Sequence, residues 1–178
     1  MINMSIEKNI FKTLKTLNLP TCLRICAETD GSITYLLEAI TKKNIEISTK
    51  EQYIIKADKE IAELLDIEIG AEVNYRVVTL SASGVVYAYA KSLSPLNRMP
   101  DAMKHDLMRA DIPIGKILRN HKLETRRDIY EIKVLDAEDI KIFNKYIPLL
   151  SRKYKIIHNK QVLMWIHEIF PIDERWDL

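Results

Sequence analysis

The chain has 178 residues, of which 47% are hydrophobic, and its 27 Lys and Arg against 25 Asp and Glu give a net charge of +2. A chain of this length buries roughly 70% of the surface that it exposes when unfolded, so residues 1–178 are expected to form a single domain. Because the basic residues are spread along the chain, tight binding to DNA or RNA is not expected.

The amino-terminal segment interrupts its apolar residues with four charged ones, Glu7, Lys8, Lys12 and Lys15. It therefore lacks the core of a signal peptide, and since no apolar run approaches a membrane span, a cytoplasmic location is expected. Cys22 and Cys26 have no second cysteine pair and no histidine at zinc-site spacing. This pattern predicts two reduced, partly buried thiols and no metal site.

Helical spacing recurs in the first forty residues. Apolar residues of the segment 6–17 fall on one face, which predicts an amphipathic helix that ends near Pro20. A loop through Asp30 is expected to follow. It leads into a second helix over 33–40, for which Asp30 or Ser32 is the N-cap.

Strand-forming sequence appears in the middle of the chain. β-branched residues become frequent over 44–57, and Asp58 can cap a short helix that stops before Gly70. The run 72–92 contains two strands joined through residues 81–84, which predicts an antiparallel hairpin with glycine at its turn.

Helices and strands are interleaved in the carboxyl-terminal half. The predicted elements are a helix over 101–110, a short helix opened by Pro113, a strand over 122–134, a helix over 137–147 and two closing strands over 154–158 and 162–170. The strand links at 81–84 and 159–160 are too short for parallel crossovers. The predicted class is therefore α+β, with a largely antiparallel central sheet and flanking helices.

One arginine falls on an apolar face of the first hairpin strand. Side chains alternate along a strand, so Arg76 shares its face with Asn74, Val78 and Leu80. An arginine in that position needs an anion. A structural salt bridge or a snorkelling edge residue meets this need, as does a bound carboxylate.

The last strand carries the opposite charge in a similar position. Glu168 shares a face with Ile166 and Phe170, whereas His167 lies on the other face and is expected to be structural. A carboxyl buried there is favoured in its neutral form, which a general acid requires. The alternative is an edge-strand glutamate paired with a lysine or arginine. Together with Arg76, Glu168 favours a polar pocket on the sheet.

Several segments form an ordered series: TDGSITYLLEA at 29–39, YRVVTL at 75–80 with VYAYAKSLSP at 86–95, IPIGKIL at 112–118 with LETRRDI at 123–129, and MWIHEIFP at 164–171. In content and order they resemble the signatures of the chorismate pyruvate-lyase family, including its short archaeal branch. The resemblance spans about positions 23–171, which is nearly the whole chain. The number and order of the segments make a chance agreement improbable.

This resemblance implies helical flaps that close a buried pocket over the sheet, and a cofactor-free elimination of pyruvate from chorismate to give 4-hydroxybenzoate. By the same resemblance, Arg76 matches the arginine that grips the ring carboxylate, and Glu168 matches the glutamate that faces the oxygen at the other end of the ring. The backbone amides of Ile33 and Ile114 match positions that help to hold the carboxylate, as the start of a helix can. The implied partners are chorismate and 4-hydroxybenzoate, with no membrane and no nucleic acid, and the protein is expected to be a monomer or a homodimer.

Three further basic residues bear on the substrate. Where many relatives carry an arginine in the second hairpin strand, this chain has Lys91, which keeps the charge but cannot form a bidentate fork, so substrate range or rate is in question. Arg126 and Arg127 can supply a cation for the enolpyruvyl carboxylate. Alternatively, they pair with Glu124 or Asp128 on a polar strand surface.

Two other functions fit the same pattern. The hairpin, with its arginine strand, glycine turn and YAKSLSP strand, also resembles the effector-binding domains of a class of bacterial transcription repressors. That function predicts an added winged-helix domain, for which the residues before 29 are too few, and it does not require Glu168. The third possibility is a protein of the lyase fold that binds 4-hydroxybenzoate or a related aromatic acid without turnover.

Overall fold

The computed structural model describes residues 12, 14–109, 112–135, 143 and 147–178. Six strands of this part form one sheet: Glu46–Lys56 (β1), Glu72–Ala82 (β2), Val85–Pro95 (β3), Arg126–Leu135 (β4), Leu149–His158 (β5) and Gln161–Pro171 (β6). The helices with both ends described are Thr21–Glu28 (α1), Ile33–Thr41 (α2), Lys59–Leu65 (α3), Asp101–Met108 (α4) and Ile114–Asn120 (α5), and short 3-10 turns follow at Leu96–Arg98 and Glu174–Trp176. None of the described helices is long and apolar enough to cross a membrane.

Two helices predicted from the sequence fall largely outside the described residues. Of the predicted helix over 6–17, only the end is described, and residues 14–16 are helical there. The helix predicted over 137–147 lies outside them except at positions 143 and 147.

The sheet is antiparallel throughout, with the strand order β1-β2-β3-β6-β5-β4. Two-residue turns join β2 to β3 at Ser83–Gly84 and β5 to β6 at Asn159–Lys160. All four turn residues have φ between 47° and 81°, the left-handed conformation that type I′ hairpin turns require. The α+β class and the antiparallel sheet predicted from the sequence are thus confirmed, and β6 lies in the interior of the sheet.

The helices cover the two faces of the sheet unequally. Leu37 of α2 belongs to one buried cluster with Leu80 of β2, and Ile117 of α5 belongs to a second with Ile166 of β6. Both clusters lie on the same face of the sheet, to which α1 and α4 also contribute. α3 packs on the opposite face, in a cluster that contains Trp165. The two cores on the first face leave a gap between them over the centre of the sheet.

The segment 21–28, predicted as a loop, is the helix α1. Leu23, Cys26 and Ala27 recur at helical spacing, and all three are buried. The loop prediction is wrong because Pro20 was taken only as the end of the preceding helix. A proline immediately before a helix is compatible with it, since the first N–H groups of a helix have no intrahelical partner.

The strand β5 begins at Leu149, earlier than the predicted start at Tyr154. The additional residues pair with β6, and among them Arg152 lies directly opposite Glu168. Ser151 and Arg152 are fully buried although the sequence there is polar. The predicted strand contained only the apolar run. The buried segment before it, which carries a charged residue, was therefore left outside the sheet.

Candidate active site

A cavity of about 60 Å³ lies between the sheet and the amino-terminal ends of α2 and α5. Side chains from all six strands contribute to its floor, and its roof consists of residues 32–34 and 113–115. A cavity that accepts benzene has a volume of about 150 Å³. An aromatic molecule therefore enters this site only when the two helix ends move apart, as expected of flaps.

Arg76 lies on the floor of this cavity. Side chains alternate along its strand β2, so Arg76 shares its face with Val78 and Leu80, and all three line the cavity. The side chain is 2% exposed, which excludes a snorkelling edge residue. Its Nη1 donates a 3.0 Å hydrogen bond to the carbonyl oxygen of Ile112, in the segment before α5. Arg76 therefore connects the sheet to the helix that forms half of the roof.

Glu168 also lines the cavity and is only 6% exposed. The hydroxyl of Tyr154 donates a 2.8 Å hydrogen bond to its Oε1. Its Oε2 accepts no hydrogen bond from the residues that the structure describes, and Nε of Arg152 lies 3.7 Å away. Of the two carboxylate oxygens, Oε1 is thus held by Tyr154, and Oε2 lies near the guanidinium of Arg152.

Arg152 lies next to Glu168 on the neighbouring strand but does not line the cavity. Its guanidinium is fully buried and donates to the carbonyl oxygens of Cys26 and, at 2.7 Å, Thr29. Carbonyls in the last turn of a helix have no intrahelical partner and carry partial negative charge, so a cation at the end of α1 is favourable. The guanidinium also lies over the ring of Tyr154, 4.7 Å from the ring centroid. Arg152 therefore joins Glu168 to the segment that leads into α2.

Burial keeps two groups near Glu168, the phenol of Tyr154 and the thiol of Cys26, in their neutral forms. Burial, followed by the negative charge of Glu168, raises the pKa of Tyr154 above its ordinary value, so its phenol remains a hydrogen-bond donor. Burial also raises the pKa of the Cys26 thiol to about 12, which makes it a poor nucleophile. Cys22 and Cys26 are both free thiols, and within the described ranges no three His, Cys, Asp or Glu side chains are grouped as metal ligands.

The strand register sets the distance between Arg76 and Glu168. Val78, two residues after Arg76, pairs with Ala90 of β3, and Ala90 pairs with Glu168 of β6. Arg76 and Glu168 are therefore two strands and two residues apart, which corresponds to roughly 12 Å between their Cα atoms. The two charged side chains therefore enter the cavity wall at separate positions.

The roof presents the first turns of two helices to the cavity. Ile33 and Ile114 are the first residues of α2 and α5, and both line the cavity. The first N–H groups of a helix lack intrahelical acceptors and carry partial positive charge, which suits an anion. An ion pair of 3.1 Å between Lys116 of α5 and Glu38 of α2 holds the two helices together.

The arrangement of a buried cation and a buried acid under two helical flaps can be compared with known proteins. The sequence model of the family described as "Chorismate pyruvate-lyase Rv2949c-like" matches residues 28–177. The chain belongs to this family. The resemblance found in the sequence segments is thereby confirmed.

Two curated relatives agree with this family. The chain is 37% identical to MJ0807 of Methanocaldococcus jannaschii, a protein provisionally named a lyase, over 97% of this chain and 90% of that one. It is 25% identical to the chorismate pyruvate-lyase of Mycobacterium leprae, over 83% of this chain and 73% of that enzyme.

Solved structures with the same fold are domains of transcription regulators. The effector domain of PhnF from Mycobacterium smegmatis superposes with a TM-score of 0.64 at 16% identity, over 80% of this chain and 90% of that domain. The C-terminal domain of the histidine utilization repressor from Pseudomonas syringae pv. tomato gives a TM-score of 0.56 at 17% identity, over 72% of this chain and 92% of that domain. At these identities the likeness shows the fold alone.

Lys91 and His167 lie on the face of the sheet opposite to the cavity. The ammonium of Lys91 is 5.0 Å from the centroid of the Tyr75 ring, and Lys91 is not among the residues that line the cavity. Nε2 of His167 lies 2.8 Å from Oγ of Ser151. Burial lowers the pKa of His167 to about 4, so its ring is neutral at physiological pH, as expected of a structural histidine.

The structure separates the neighbouring residues Arg126 and Arg127. Nε and Nη2 of Arg126 donate to the two oxygens of Asp128 at 2.5 and 2.8 Å on the surface, which is the pairing considered from the sequence. Arg127 instead lines the cavity. Only Arg127 can thus contact a molecule bound there.

Sequence reasoning did not identify Tyr154 and Arg152 as site residues. In β5, one face carries Leu150, Arg152, Tyr154 and Ile156, so a charged residue again lies among apolar neighbours, as Arg76 does in β2. This pattern was overlooked because the predicted strand began at Tyr154.

Replacing Gly115 by Ala is expected to separate the flaps. A Cβ at position 115 would overlap Oγ of Ser32 and would lie 2.9 Å from its Cβ, so one helix must shift. Because alanine favours a helix over glycine, any loss arises from this clash, and about 1–3 kcal/mol of stability should be lost. Thermal unfolding measures the loss of stability.

The matched control is the double variant with Ser32→Gly. Glycine at this N-cap removes the clashing atoms, and Ser32 makes no side-chain capping hydrogen bond that would be lost. The double variant should regain most of the stability lost by Gly115→Ala. Equal melting temperatures of the single and double variants would show that the close approach of the two residues is not the cause.

Proposed function

We propose that the protein is a chorismate pyruvate-lyase that eliminates pyruvate from chorismate and forms 4-hydroxybenzoate. The observation that carries this proposal is the placement of a buried arginine, Arg76, and a buried carboxyl, Glu168, in the lining of one cavity. Membership of the lyase family supplies the substrate class. We place the reaction in the cytoplasm.

The ring carboxylate is bound at the Arg76 end of the cavity. A planar guanidinium can donate two parallel hydrogen bonds to a carboxylate, and such charge-assisted bonds are stronger than neutral ones. The amides of Ile33 and Ile114 add partial positive charge from the roof. The substrate is thus oriented with its ether oxygen toward Glu168.

Glu168 acts as the group that transfers the proton. Its carboxylate takes the proton of the ring carbon that bears the hydroxyl, and aromatisation drives this loss. Glu168 then delivers this proton as an acid to the ether oxygen while the bond between that oxygen and the ring breaks, and the bonding electrons remain with the oxygen of the departing enolpyruvate. The enol then becomes pyruvate. The products have together the composition of the substrate, so no electron carrier is consumed.

Closure of the flaps strengthens these interactions. With α2 and α5 in contact, Arg76 and Glu168 are almost wholly removed from solvent. Hydrogen bonds and charges act more strongly where water is excluded. Tyr154 keeps its proton and holds Oε1 of Glu168, so we assign the proton transfer to Oε2.

The direct test is to incubate the purified protein with chorismate, without added metal or cofactor, and to measure pyruvate and 4-hydroxybenzoate together. Equal amounts of both, formed faster than by spontaneous decay of chorismate, are expected. Absence of pyruvate above the spontaneous rate would contradict the lyase function.

A second candidate function is the binding of an aromatic acid without turnover. It is favoured by the structures of similar fold, which include the effector domain of PhnF and the C-terminal domain of a repressor. This function predicts that 4-hydroxybenzoate raises the melting temperature while chorismate yields no pyruvate. The two measurements together distinguish it from the lyase.

Replacing Arg76 by Ala is expected to weaken 4-hydroxybenzoate binding by about 1.5–3 kcal/mol, because the carboxylate loses charge-assisted hydrogen bonds. Isothermal titration measures the change. Lys91→Ala is the control, since Lys91 is a cation on the adjacent strand but on the opposite face, and its Kd should remain that of the wild type. If the two replacements changed the Kd for 4-hydroxybenzoate equally, Arg76 would have no specific part in binding it.

A further inference from the structure

A second arginine lines the cavity, on the other side of Glu168 from Arg76. Arg127 lies on the edge strand β4 and lines the cavity. Its Nη1 donates a 2.9 Å hydrogen bond to the carbonyl oxygen of Asp30, just before α2. Its Nε is buried and makes no hydrogen bond to any residue that the structure describes. The side chain is therefore anchored through Nη1 while it forms part of the cavity wall.

The strand order places Glu168 between the two arginines. In the order β1-β2-β3-β6-β5-β4, the strand of Glu168 is two strands from that of Arg76 and two from that of Arg127. The cavity thus has a cation on each side of its acid. The electrostatic effect of Arg127 extends to the hydroxyl of Tyr154, which is bonded to Glu168.

Other nearby cations are unsuited to the same role. Arg152 is fully buried behind Glu168 and donates to two backbone carbonyls. Arg126 is exposed and forms a bidentate pair with Asp128. Within the described residues, the cations that line the cavity are Arg76 and Arg127.

We propose that Arg127 binds the enolpyruvyl carboxylate of chorismate and that the cavity selects a molecule with two carboxylates. This inference rests on the proposed function. Chorismate carries one carboxylate on the ring and a second on the enolpyruvyl group, with the ether oxygen between them. The order of cation, acid and cation across the sheet matches that order of groups.

This arrangement distinguishes the substrate from the aromatic product. When the bond to the ether oxygen breaks, the second carboxylate belongs to pyruvate, and 4-hydroxybenzoate retains only the contacts at Arg76 and Glu168. Arg127 therefore contributes to binding of chorismate and not to binding of 4-hydroxybenzoate. Its contact with Asp30 also allows a merely structural role, in which it positions α2 and affects both ligands alike.

The test measures equilibrium binding of chorismate and of 4-hydroxybenzoate to Glu168→Gln, in which turnover is expected to be negligible, and to the double variant with Arg127→Gln. Loss of one charge-assisted carboxylate contact should weaken chorismate binding by about 10- to 100-fold. Binding of 4-hydroxybenzoate should change by less than twofold. Arg126→Gln in the same background is the control and should change neither.

The outcomes separate this inference from the proposed function. Equal weakening of both ligands, or unchanged chorismate binding, would overturn the role of Arg127 even if the wild type releases pyruvate. Conversely, a wild type that releases no pyruvate would contradict the lyase, while selective weakening of chorismate would still support the second carboxylate site. A protein that binds 4-hydroxybenzoate but not chorismate would overturn both.

Discussion

Replacing Glu168 by Gln is expected to slow pyruvate release from chorismate by about 10²- to 10⁴-fold, the usual contribution of a positioned general acid. Glutamine has nearly the same shape, and its amide oxygen can still accept the hydrogen bond of Tyr154. The amide cannot deliver a proton to the ether oxygen. Binding of 4-hydroxybenzoate should therefore change much less than the rate. Single-turnover pyruvate release and isothermal titration measure the two effects separately.

Glu63→Gln provides the matched control for this experiment. Glu63 is an exposed carboxyl on α3, on the face of the sheet that is remote from the cavity. Its replacement should leave both rate and binding unchanged. If Glu168→Gln turned over chorismate as fast as the wild type, Glu168 would have no part in proton transfer.

The alternation of side chains along strands explains why part of the site could be predicted from the sequence. Arg76 and Glu168 each interrupt an apolar face of a strand whose limits were nearly correct, so their faces followed directly. The same rule and the antiparallel pairing place Lys91 on the other face from Ser92, which lines the cavity. The family resemblance directed attention to Lys91 although the local pattern already separated it from the site.

The remaining site residues depended on information that is not local. Arg152 belongs to the sheet only because it pairs with Glu168 on a neighbouring strand. The roles of Arg126 and Arg127 are distinguished by what lies above β4, namely the carbonyl of Asp30, which is remote in sequence. α1 was missed because its short amphipathic pattern directly follows a proline, and its burial depends on packing against the sheet. In each case, tertiary contacts decide between two structures or pairings that the local sequence permits.

Replacing Arg152 by Met is expected to lower the free energy of unfolding by about 3–5 kcal/mol, the usual cost of removing one partner from a buried ion pair. The replacement leaves the Glu168 carboxylate buried without its cation, 3.7 Å away in the structure. It also removes the donors to the carbonyls of Cys26 and Thr29. Urea unfolding measures the change. Lys153→Met is the control, because Lys153 pairs with Glu131 at the sheet surface and such pairs contribute at most about 1 kcal/mol.

The double variant Arg152→Met/Glu168→Gln separates the two causes of this loss. Removing the buried charge should restore part of the stability, because an amide costs less to bury than an unpaired carboxylate. The loss that persists is then due to the carbonyls of α1 and the following turn. If Glu168→Gln restored no stability in the Arg152→Met background, the ion pair would contribute nothing, and Arg152 would act only by holding the segment that leads to the first flap.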